Sequence, residues 1–194
     1  MARIAATLND HVFFTLPISL QYGKEDWRKD LRKLIKLAGS ENRDVVLFLQ
    51  ASQLLKHNFL RGDVDSLYAR GEIPDLFSEE EKHQLNEVVH KYLMKVEGGK
   101  VSEMTPSALY EIFIDISRVK IHVIINYDHN DENAKRMLRM HKSIFTESTQ
   151  LNLKTWPDDA LKKSADIMFE EVNADRNAKK VVTGIGQNIY QEAM

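Results

Sequence analysis

The apolar run Val45 to Leu49 is followed by Gln50 and Ala51, and those two residue types decide what chemistry the segment can do. Five consecutive apolar residues with β-branched members make a buried parallel strand. Where such a strand serves ATP hydrolysis it ends in an Asp that holds the Mg²⁺ shell and a Glu that polarises the attacking water. An amide and a methyl group do neither. Phosphate binding of the corresponding kind needs GxxxxGK[ST], so that backbone N–H groups wrap the phosphates, Lys reaches the β and γ positions and the hydroxyl binds Mg²⁺. That pattern is absent from the chain. Gly184 and Gly186, in TGIGQN, have neither a Lys–Thr pair nor a buried strand before them, and they read as an ordinary turn or helix break.

Other constellations fall to plainer readings. His83 and His90 are seven residues apart and can share a helix face, but no HExxH and no matching carboxylate accompanies them, so they read as surface or half-buried histidines. Asp128, Asp131 and Glu132 approach the composition of a calcium loop without its glycine and distal bidentate Glu, which leaves a solvated loop. No GxSxG places a serine nucleophile above a sheet. Trp27 and Trp156 stand at helix starts and read as packing anchors.

The elements that would position these residues alternate between short apolar runs and helical patterns, which predicts an α/β architecture with a mainly parallel sheet. Val12 to Leu16 is a strand closed by Pro17. From Glu25, residues Trp27, Leu31, Leu34, Ile35 and Ala38 fall on one helical face, with Gly39 placed to supply a left-handed carboxyl cap. Ser78 and Glu81 form a capping box ahead of a stripe of Leu85, Val88, Val89, Tyr92 and Leu93. Thr105 and Pro106 open a helix with Leu109, Ile112, Phe113 and Ile116 facing inward, and it leads into the strand Ile121 to Ile125. Thr155 and Asp158 bracket a last helix start, followed by the stripe Leu161, Ala165, Met168, Phe169 and Val172.

Composition narrows the function classes. At 194 residues the chain is long enough for one domain with a proper core, and one rather than two is expected. A net charge of −2, from 27 basic and 29 acidic residues, gives no footprint for nucleic acid or an anionic membrane. With no cysteine there is no disulfide scaffold, thiol catalysis or cysteine-bound zinc. No apolar run approaches the roughly 20 residues that span a bilayer and no signal-peptide core opens the chain, so a soluble intracellular protein is the default expectation.

Four stretches carry a resemblance to a known family: YGKEDWRKDLRKLIKLAG (Tyr22 to Gly39), the strand with ASQLLKHNFL behind it, the GEIPDLF turn (Gly71 to Phe77) and WPDDALKKSADIMFEEV (Trp156 to Val172). The region Tyr22 to Val172 resembles the large subdomain of a dynein heavy chain AAA+ module, most like the fourth module of the motor ring and closer to axonemal than to cytoplasmic forms. GEIPDLF and WPDDAL combine turn chemistry, order and spacing that a generic α/β domain would not reproduce. Weaker similarity at Met1 to Leu16 and across the middle extends the match over most of the chain.

The resemblance implies a P-loop NTPase-like AAA+ large subdomain over residues 1–172, a parallel sheet flanked by helices, with 173–194 starting the helical small subdomain near the stalk. It makes Asn126 the candidate sensor of a γ-phosphate, although an Asn capping a strand end fits the same place. It makes Arg139 and Arg136, in KRMLRM, candidate arginine fingers toward the nucleotide of an adjacent module. Solvated basic residues on a short exposed helix are the plainer alternative. Gln50 and Ala51 then occupy the degenerate acidic positions, so neither a catalytic residue nor a metal ligand is expected. The parent family uses ATP and Mg²⁺; this chain alone is expected to need no cofactor, to bind nucleotide weakly at best, and to hydrolyse none.

MARIAATLNDHVFF resembles the helix after the phosphate loop, which implies that the loop and its strand lie upstream of Met1. In that fold the missing strand sits between the sensor strand and a last strand near Gln150 to Leu153. Unpaired buried backbone groups there would cost about 1–3 kcal/mol each, against a total stability of about 5–15 kcal/mol. Either the strands re-pair, a partner supplies the strand, or the chain is part of a much longer protein. Two functional expectations follow. One is a component of a dynein heavy chain that drives minus-end-directed motility, with other dynein modules or subunits and microtubules as partners, in the cytoplasm on the cytoskeleton of a cilium or flagellum axoneme. The other is a stand-alone, non-catalytic AAA+-like module that binds a protein partner.

Overall fold

A computed structural model of the chain describes residues 1–17, 21–96, 104–152, 156–169 and 175–193. The chain divides into two compact units, Met1–Ser148 and Thr149–Met194. In the first, β1 (Val12–Thr15), β2 (Val45–Gln50) and β3 (Ile121–Asn126) form one parallel sheet in the order β1-β2-β3. Val45, Leu47 and Leu49 alternate onto one face of β2 and are fully buried, whereas Phe48 on the other face is only partly covered. Val46, on the same face as Phe48, is also buried, so that face is covered at the start of β2 and opens at Phe48. Among the described residues β3 is an edge strand.

The helix α1 (Ala2–Leu8) packs on β1, with the Arg3 guanidinium 5.8 Å from the Phe13 ring centre. In α2 (Lys24–Gly39), Glu25 and Asp26 sit in the first turn, and the Asp26 carboxylate accepts from the Gly23 N–H at 3.2 Å. Trp27, Leu31, Leu34, Ile35 and Ala38 all face the core, as their spacing predicts. Gly39 is not the left-handed cap. It is the last residue of α2, the cap position belongs to Ser40 in right-handed geometry, and among the described glycines only Gly71 has positive φ. Glycine is needed at 39 because α2 crosses α6 (Pro106–Lys120) there, and a methyl group would overlap the Phe113 ring and the Ser117 hydroxyl.

After β2 come α3 (Ala51–Lys56) and α4 (Asn58–Arg70), the latter closed by Gly71 at φ 72°. Gly71 opens the GEIPDLF turn, whose Ile73, Leu76 and Phe77 are buried. The turn's carbonyls face α2: Arg28 donates to Asp75 O at 2.9 Å and to Pro74 O at 3.4 Å, and Arg32 donates to Leu76 O at 2.7 Å. The motif therefore serves as a docked staple between helices. Ser78 and Glu81 then form the expected reciprocal cap of α5 (Glu79–Val96), at 3.2 and 3.1 Å. Leu85, Val89 and Leu93 are buried, but Val88 and Tyr92 are 39% and 43% exposed, so the stripe is narrower than its sequence.

Thr105 caps α6 by accepting from the Ala108 N–H at 3.3 Å, and the buried Ser117 hydroxyl donates to Phe113 O at 2.8 Å. Beyond β3, Asp131 caps α7 (Glu132–Met140), and α8 (Lys142–Thr146) packs on α4. In the second unit α9 (Asp158–Phe169) and α10 (Arg176–Ala193) pack together, with Gln187 donating to Asp158 O at 3.2 Å. Gly184 and Gly186 lie inside α10 rather than breaking it. Trp156 is 52% exposed and Met168 is 74% exposed, so neither anchors a core. Gln150 to Asn152 form no strand; Leu153, Thr155, Val172 and the division anticipated between 172 and 173 lie outside the described residues.

Candidate functional site

Parallel α/β sheets bind ligands outside the carboxyl ends of their strands. At that end β2 and β3 run in register to their last residues, so Gln50 and Asn126 are direct neighbours. Both are exposed. The Gln50 N–H donates to Gln53 Oε1 at 2.9 Å, which fastens the first turn of α3. Ala51, the first residue of that helix, is 5% exposed. The pair of positions that would need acids thus offers one amide at the surface and one methyl group turned into the core.

Arg136 and Arg139 lie on α7, which packs on α3 and α8 through its buried Ala134, Met137 and Leu138. The Asp131 carboxylate accepts from the Asn133 N–H at 2.9 Å and starts the helix. With Glu132, Asn133 and Met140, the two arginines line an open cleft of about 450 Å³. Gln50 and Asn126 do not line it. Arg139 Nε donates to Lys135 O at 3.3 Å and Arg136 Nη2 to Asn133 Oδ1 at 3.5 Å. Glu132 Oε1 receives Lys135 Nζ at 2.7 Å, and its Oε2 lies 3.7 Å from Arg139 Nη2. The Lys135 hydrogen bond, followed by the charges of Lys135 and Arg139, holds the Glu132 carboxyl below its ordinary range.

The His83 side chain is 74% exposed beside Glu87. Asp128 accepts from the Asn130 N–H at 2.9 Å, an ordinary Asx turn. Among the described residues no group of three or more His, Asp or Glu side chains is placed to hold a metal ion.

Over residues 1–194 the chain matches the family described as P-loop containing dynein motor region D4. It belongs to that family. It is similar to dynein axonemal heavy chain 3 of Mus musculus, 27% identical over 192 residues, covering 99% of this chain and 5% of that protein. It is also similar to dynein axonemal heavy chain 6 of Homo sapiens, 27% identical over 180 residues, covering 93% of this chain and 4% of that protein. The dynein-1-beta heavy chain of the flagellar inner arm I1 complex of Chlamydomonas reinhardtii is 28% identical over 185 residues, covering 95% of this chain and 4% of that protein. The chain therefore spans about one twentieth of the length of these curated relatives.

In this D4 region, sequence reasoning finds the arginines of α7 but misses the acid that holds one of them. The signal is present as Glu132, Lys135 and Arg139 at i, i+3 and i+7, a spacing that stacks side chains along one helix face once Asp131 is read as the cap. A second cluster, at the amino-terminal end of the D4 sheet, also escapes it. Asp44 accepts from Lys120 at 2.9 Å and lies 3.4 Å from His122, whose ring stacks at 5.3 Å on His11. The Lys120 hydrogen bond holds the Asp44 carboxyl below its ordinary range. These groups come from three strand starts far apart in sequence, and no local spacing announces them. Among the described residues no helix is long and apolar enough to cross a membrane.

Proposed function

We propose that this chain is a non-hydrolysing ring module of a dynein heavy chain, and that it supports ATP-driven, minus-end-directed microtubule motility by ring structure rather than by turnover. The observation that carries this reading is the end of β2, where Gln50 stands beside Asn126 without an acid and Ala51 is buried. Asn126 then retains a sensor's place with no hydrolytic pair next to it. Arg139 and Arg136, exposed in the α7 cleft, act on phosphate charge in trans. ATP and Mg²⁺ belong to the whole motor, and other dynein modules or subunits and microtubules are its partners. Similarity to axonemal heavy chains supports a place in the axoneme. Residues 1–172 serve as a partial large subdomain, and 173–194, where α10 forms, start the helical small subdomain.

Titrating the chain with ATP and Mg²⁺ in a calorimeter is expected to show weak binding at most; tight, Mg²⁺-dependent binding would overturn the reading. The double variant Gln50→Asp, Ala51→Glu is expected to show no ATP turnover. It should also lose about 1–2 kcal/mol of stability, because Ala51 has no room for a longer side chain. Steady turnover in that variant would show that another loop replaces the phosphate cradle. An antibody raised to the Gly71–Phe77 turn is expected to detect a native product of several hundred kilodaltons. A band near 22.4 kDa would instead favour a free-standing, partner-binding module.

A further inference from the structure

The α7 cleft sets a single carboxylate, Glu132, beside two arginines. Asp131 already caps the helix, so Glu132 is not needed for that role. Instead its two oxygens are divided, one to Lys135 at 2.7 Å and the other toward Arg139 at 3.7 Å. The second contact is loose, and both side chains are largely open, 74% for Glu132 and 67% for Arg139. A guanidinium prefers a phosphate that it can grip through two parallel N–H bonds over a single carboxylate oxygen at this separation.

We infer that Glu132 is a resident competitor in the arginine cleft: it holds Arg139 back along α7 until a phosphate-bearing group from outside displaces it. This rests on the reading of Arg136 and Arg139 as an anion site. The exchange leaves no stranded charge, because Glu132 keeps its shorter bond to Lys135 when Arg139 swings to the phosphate. Among the described residues Arg136 is held only by Asn133 Oδ1 at 3.5 Å, and it follows Arg139 without losing an ion pair to any of them. Glu132 therefore sets a threshold, so that a multiply charged phosphate chain engages both arginines while a weak anion leaves the resident contact in place.

The test is a titration with inorganic tripolyphosphate at low ionic strength, read from the arginine side-chain Nε–H and α7 amide signals by NMR. Glu132→Gln is expected to bind about fivefold more tightly than the parent chain, the effect of removing one exposed competing charge. Asp128→Asn removes the same charge outside the cleft and is expected to change affinity less than about twofold. The double variant Arg136→Ala, Arg139→Ala is expected to lose the saturable shifts. If Glu132→Gln binds no better than the parent while the arginine variant still loses binding, the competitor role is wrong and the anion site stands. If Asp128→Asn gains as much as Glu132→Gln, the effect is a general field and the competitor role is again wrong. If no chain shows saturable shifts in α7, the anion reading itself fails and the inference with it.

Discussion

Replacing Trp27 by alanine is expected to lower the stability of the chain by about 3–5 kcal/mol, the cost of emptying a large core site. Trp27 is completely buried in the middle of the α2 face. Its indole also reaches out of α2, since Nε1–H donates to Asp63 Oδ2 on α4 at 2.9 Å. The two contributions can be separated. Trp27→Phe keeps most of the apolar volume and removes the donor, leaving the part-buried Asp63 oxygen without it, and is expected to cost about 1–2 kcal/mol. Urea unfolding followed by circular dichroism reads both variants. A loss below about 1 kcal/mol for Trp27→Ala would mean that α2 is not seated as described. For a parent at the low end of the usual range of about 5–15 kcal/mol, the full loss leaves the alanine variant near the folding threshold.

Gly39→Ala is expected to destabilise by about 2–3 kcal/mol, although alanine is the better helix former. The added methyl group would meet the Phe113 ring and the Ser117 hydroxyl of α6, both fully buried. Gly62→Ala supplies the internal control. Gly62 lies within α4 with nothing within 4 Å of an added Cβ, so the same substitution is expected to stabilise by about 0.5–1 kcal/mol. Opposite signs for one chemical change at two helical positions separate close approach from backbone freedom. If both substitutions stabilise, the α2–α6 crossing is wider than described.

The contrast also shows where reading a sequence reaches its limit. Gly39 stands at a helix end, where local chemistry favours a left-handed cap, but its neighbours are Phe113 and Ser117, more than seventy residues away. Local signals were sufficient for the Ser78–Glu81 box, the Thr105 cap and the three strands, because each depends on residues within one or two turns. They fail at Val88, Tyr92 and Trp156, whose apolar character says that they can be covered and not that anything covers them. At the candidate site, a single strand end is enough to read that Gln50 and Ala51 carry no acid. Their adjacency to Asn126 depends on the register of β2 with β3, a long-range fact. The arginines of α7 are legible as basic residues; the Glu132 contact is hidden because Glu132 reads as the end of a solvated loop rather than the first residue of α7.

The edge of β3 gives the chain a further property. Its six residues, Ile-His-Val-Ile-Ile-Asn, contain no lysine, proline or glycine, and their register with β2 is continuous, so nothing blunts the strand or bends it away. Among the described residues its outer row of amides and carbonyls faces no other strand. Such a row is a template, and in a concentrated solution of this chain the most available complement is the same row on another molecule. Self-pairing along Ile121 to Asn126 is then the expected route of association for the chain in isolation.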